Sequence, residues 1–83
     1  MGEFLRKFMQ LNGKEATITF DHCWFGAQKF KAEKVNVIED DEKMGIILHG
    51  QEKFIYKKHL AEVQMDEHMI MFADDKLKIS IKF

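Results

Sequence analysis

The chain of 83 residues has no proline and only one cysteine, one serine, one arginine, one tryptophan and one tyrosine. Each scarcity removes a class of chemistry. A lone cysteine, Cys23, cannot close an internal disulfide, and a reducing compartment is the natural reading. Ser80 lies in an alternating strand pattern, with no Ser-His-Asp arrangement around it to make a nucleophile. Arg6 is the only guanidinium among thirteen basic residues, so the forked donor that reads bases and phosphates is nearly absent. A net charge of −1 supplies no field to draw nucleic acid or acidic lipid. The stretch MGEFLRKFMQLNG holds no apolar run long enough for a signal segment or a membrane span. Arg6 also stands where a myristoylation motif needs Ser or Thr. These absences predict a cytoplasmic protein with no membrane attachment.

What is present is a core. Apolar residues make up 46% of the chain, with eight Phe, and the length fits one domain, residues 1–83. A domain this small buries only about 60% of its unfolded surface, so the core must be compact.

The hydrophobic period gives the order of elements. Phe4, Leu5, Phe8, Met9 and Leu11 recur at spacings of three and four, which predicts a helix over 3–12. Asn12-Gly13 closes it, because glycine accepts the left-handed backbone. The period then becomes two, with Ala16, Ile18 and Phe20 on one face. Phe30 and Ala32 keep one parity and Val35 and Val37 the other, which predicts a bulge or sharp bend near Glu33-Lys34. EDDEK (39–43) is a solvated turn. Met44, Ile46 and Leu48 form the next strand, and Phe54 and Tyr56 mark the one after the His49-Gly50 turn. Ala61, Val63 and Met65 alternate after a break at Lys58-His59. A hairpin over 66–83 ends the order, with Leu77, Ile79, Ile81 and Phe83 set against lysines and Ser80. The expectation is a mainly β domain: one N-terminal α-helix, then five to seven short antiparallel strands closed into a small barrel over 14–65, with a closing hairpin.

LNGKEATITF followed by VIEDDEKMGIIL resembles Sm and Sm-like proteins. Asp41, Met44, Ile46 and Leu48 match the spacing of that family's first motif over a resemblance spanning residues 3 to 65. The resemblance implies an SH3-like barrel behind an N-terminal helix, assembly into homo-oligomeric rings, and binding of single-stranded RNA. Two departures stand out. Gly45 occupies the place of the family's RNA-contacting Asn, and YKKHLAEV replaces its Arg-Gly turn.

The candidate sites follow from composition and place. Tyr56, Lys57, Lys58 and His59 put an aromatic face beside cations, the pairing that suits a stacked single strand. Trp24 and Phe25 lie in the loop DHCWFGAQKF, where they either cap an open end of the barrel or meet a protein partner. In the second case the protein is an interaction module, a small regulator or inhibitor. Lys76, Lys78 and Lys82 either touch phosphates or guard an edge strand against pairing. Met65, Met69 and Met71 offer a homo-oligomer surface. His22 and Cys23 are neighbours and point to opposite sides of an extended chain, which does not make a catalytic pair. His22, His49, His59 and His68 lack metal-ligand spacing. The expectation is a non-enzymatic binding module with no metal and no cofactor.

Overall fold

The computed structural model describes residues 2–83, in which one helix precedes eight strands. Helix α1 (Gly2–Gln10) buries Phe4 and Phe8. Phe4 and Phe8 meet Phe72 edge-on, at ring-centroid distances of 6.3 and 5.4 Å. The helix stops at Gly13, with φ of 84°. That stop is also a fastening point. Gly13 donates its N–H to the carbonyl of Val35, Val35 donates to that of Lys14, and Val37 donates to Asn12 Oδ1.

The strands are β1 (Ala16–His22), β2 (Gly26–Ala32), β3 (Asn36–Glu39), β4 (Lys43–Leu48), β5 (Gln51–Tyr56), β6 (Glu62–Met65), β7 (Met69–Ala73) and β8 (Leu77–Lys82). A single 3₁₀ turn, Lys57–His59, joins β5 to β6. The strands form two antiparallel sheets, a five-stranded one in the order β2-β1-β8-β7-β6 and a three-stranded one in the order β3-β4-β5. One core serves both, with Ile18, Phe20, Ile70, Phe72, Ile79 and Ile81 from the large sheet against Met44, Ile46 and Ile55 from the small one.

Mainly β architecture behind one N-terminal helix matches expectation. Three details differ. The sheets are not closed into a barrel. There are eight strands, not five to seven, because the segment read as one bent strand near Glu33-Lys34 is two strands in different sheets. The parity slip there marks the crossing between sheets, pinned by the Gly13–Val35 bond. Finally, β5 has the opposite phase: Ile55 is the buried residue, and Tyr56 stands on the outer face at 43% exposure. A one-residue change of register exchanges the two faces of a strand.

Three hairpin turns share one device. Asp40, Asp66 and Asp74 each donate their backbone N–H to the carbonyl three residues on, of Lys43, Met69 and Leu77. Each also accepts at Oδ1 from the N–H two residues ahead, on Glu42, His68 and Lys76. A short carboxylate that satisfies its own turn explains why aspartate opens all three. The β4–β5 turn is different: His49 and Gly50 both have positive φ, 52° and 79°, the geometry that matches the twist of a two-residue hairpin.

Candidate functional site

Strands β1 and β2 are joined by three residues, Cys23, Trp24 and Phe25, between the paired His22 and Gly26. Gly26 has φ of 78°, as a three-residue hairpin loop requires at its closing position. Two backbone donors fix the loop: Cys23 N–H to the Lys76 carbonyl at 2.9 Å, and Trp24 N–H to His22 Nδ1 at 3.1 Å. The His22 ring lies 4.8 Å from that of Phe25 and 5.9 Å from that of Trp24. Lys76 Nζ sits 5.6 Å from the Trp24 ring centroid.

Held this way, the rings still face water. Trp24 is 75% exposed and Phe25 is 79% exposed. They therefore do not cap an open end of the core, one of the two roles open to them from sequence. Burial of rings this large is a major source of binding energy, so such exposure at one tip needs a reason.

Beside the tip, between the hairpin and β5, a groove of about 300 Å³ is lined by Phe20, His22, Phe25, Gly26, Gln28, Lys53 and Leu77. The ring of Phe20, which lines it, lies 5.9 Å from that of Phe30, and Phe30 meets the His49 ring at 6.2 Å. Lys53, Gln28 and the groove are not among the sites that the sequence pattern singles out. With β5 read in the opposite phase, Lys53 appeared to point outward. The usable signal is a polar residue on the parity of buried or half-buried neighbours: Lys53 before Ile55, Gln28 before Phe30, His22 after Phe20.

The other candidate site lies on the outer face of β5 and the turn after it. The Tyr56 ring is 6.0 Å from Lys58 Nζ and 6.3 Å from the His59 ring. Lys57 is taken by an ion pair with Glu39. Asp41 and Glu42 line the hollow beside Tyr56 and Lys58. Cations are thus matched by carboxylates, which weakens any attraction for phosphate. Asp40, at the start of that turn, accepts from the N–H groups of Glu42 and Lys43 at 2.7 and 2.8 Å, and those bonds hold its carboxyl below the usual 3.8.

The remaining expectations separate. Strand β8 is bonded to β1 and β7, so Lys78 and Lys82 lie on an interior strand and guard no edge. Met71 is buried at 4% exposure and drops out of any surface. Met65 is exposed on β6, an edge strand, together with Val63. Among the described residues no three His, Cys, Asp or Glu side chains gather as for a metal ion. No described helix is long and apolar enough to cross a membrane.

Neither a family model, nor a curated protein, nor a solved structure matches this chain.

Proposed function

We propose that this protein is a non-enzymatic interaction module that grips a protein partner with the Trp24–Phe25 hairpin tip. One observation carries the reading: two large rings stand exposed on a loop whose backbone and His22 neighbour hold them in place. Loop order set before binding lowers the entropic cost of association. Exposed, centrally placed aromatics are the residues that dominate interface energies. The exposed free thiol of Cys23 at the same tip fits a reducing, cytoplasmic setting.

The test compares immobilised wild type with Trp24→Ala, after circular dichroism has shown both to be folded. The reading expects at least one protein from a cell lysate to be held by the wild type and lost from the variant. If Trp24→Ala retains every protein that the wild type retains, the tip is not the contact.

A second reading is favoured by the Sm-like resemblance and by Tyr56 with Lys58 beside it: an oligomeric, Sm-like binder of single-stranded RNA. The Glu39–Lys57 pair and the acidic lining count against it. So does Gly45, whose place on β4 leaves no room for an Asn side chain against β5. This reading expects salt-dependent binding of U-rich or A-rich oligonucleotides that Tyr56→Ala weakens. It also expects a multiple of the monomer mass in light scattering, through β6 or another open edge. Absence of oligonucleotide binding at low salt sinks it.

A further inference from the structure

Alternation in a sandwich places apolar residues on the inner face of every strand, and here three strands break that rule at the same end. On β1 the inner face runs Ala16, Ile18, Phe20 and then His22. On β2 it runs Ala32, Phe30 and then Gln28. On β5, Ile55 is buried, and Lys53 follows on the same parity. These three polar side chains line one groove, over a floor of Phe20 and Leu77 and beside Phe25.

All three present donors. His22 Nδ1 accepts from the Trp24 N–H, so the neutral ring carries its proton on Nε2. Gln28 has an amide NH₂, and Lys53 has an ammonium that makes no ion pair among the described residues. No carboxylate lines the groove. An inward lysine is also a known guard on an edge strand, and β5 is an edge. That role accounts for Lys53 alone. It does not account for Gln28, or for the edge of the His22 ring left over once Nδ1 has accepted from Trp24.

We infer that the groove takes the C-terminal residue of a partner chain, its apolar side chain against Phe20, Phe25 and Leu77 and its terminal carboxylate toward Lys53, His22 and Gln28. Charge decides the sign, because among the described residues the lining holds one unpaired cation, Lys53, and no carboxylate. Size decides the source. A space of about 300 Å³ equals the share of about ten waters, room enough for one large side chain. An internal Asp or Glu brings its charge in place of an apolar side chain. A C-terminal residue alone brings both within one residue. The inference rests on the hairpin tip being a protein-binding surface, and it names the part of the partner that is read there.

The experiment uses amide-resolved NMR titrations with N-acetyl-phenylalanine and with its C-terminal amide. The acid is expected to shift Gly26, the Gln28 side-chain NH₂, Lys53 and Leu77. The amide is expected to bind about 1.5-fold to fivefold more weakly, the range of a solvent-exposed ion pair. Lys53→Met, which keeps the apolar stem, is expected to bring the acid down to the level of the amide and leave the amide unchanged. Equal binding of acid and amide, shifts scattered away from the groove, or a Lys53→Met variant that still prefers the acid would each overturn the inference. Failure here is separable from failure of the tip: if Trp24→Ala loses its partners and Lys53→Met keeps them, the tip stands and carboxylate reading falls.

Discussion

Adding one methyl group to Gly45 is expected to be among the most damaging single changes in this protein. Gly45 lies in the middle of β4, paired with Ile38 on one side and Phe54 on the other. A Cβ there would stand 2.1 Å from the Lys53 carbonyl oxygen and 2.5 Å from Phe54 Cα. Both are backbone atoms, so no rotamer change relieves the contact. Strand β5 would have to retreat by more than an ångström, and it carries Ile55, a core residue at 1% exposure. Overpacking a tight site costs about 1–3 kcal/mol, occasionally more, and a backbone clash belongs at the upper end. Ala ordinarily gains about 0.5–1 kcal/mol over Gly in a strand, so a net loss of about 2–3 kcal/mol isolates the steric effect. For a domain of this size that is a fall in melting temperature of about 10–20 °C, out of a total stability of about 5–15 kcal/mol. Urea and thermal unfolding of Gly45→Ala measure it. Gly2→Ala is the control, since nothing stands within 4 Å of that position. A Gly45→Ala protein within about 0.5 kcal/mol of wild type would refute the close approach of β5 over β4.

Phe72→Ala removes the ring on which both Phe4 and Phe8 rest, and is expected to cost about 3–5 kcal/mol, with loss of helical signal in far-ultraviolet dichroism. Retained helicity at unchanged stability would mean that α1 docks without that ring. Trp24→Ala and Phe25→Ala, by contrast, are expected to lie within about 0.5 kcal/mol of wild type in urea unfolding, because both side chains are already in water. Asp40 has a folded pKa below its ordinary 3.8, so its turn-capping contribution is fully present above 3.8 and fades as pH falls through the lower folded value. A carboxyl titration followed by NMR should give Asp40 a midpoint below 3.8, and Asp40→Asn should lose that acid dependence. A midpoint at or above the ordinary value would remove the two backbone bonds from the account.

Much of this protein is decided locally. The helix follows from apolar spacing at three and four, and its end from Asn12-Gly13, because only a left-handed residue closes the turn there without strain. The turns follow from aspartate at their first positions, since the carboxylate caps its own backbone wherever the chain goes. The clean alternation of β1 and β8 predicts two strands with Ile18, Phe20, Ile79 and Ile81 inside, and they are buried. Metal spacing, a second cysteine and a basic field are missing from the composition itself.

Other features depend on partners that lie far along the chain. Sheet membership of 26–32 and 36–39 depends on which strands β2 and β3 meet, and the local pattern shows only that parity slips between them. The phase of β5 was misread because Phe54 and Tyr56 outweigh Ile55 in apolar bulk, yet cover from β4 and the large sheet buries Ile55. The status of Trp24 and Phe25 has the same origin. Two aromatic rings in a loop read equally as a plug or a handle until the tertiary structure shows whether any surface faces them. Lys53, Gln28 and His22 are each unremarkable on their own strands. They line one groove only because pairing register aligns β1 with β2 and core packing sets β5 across from them. Side-chain type is local, but a site is a coincidence in space, and the sheets alone decide which residues share it.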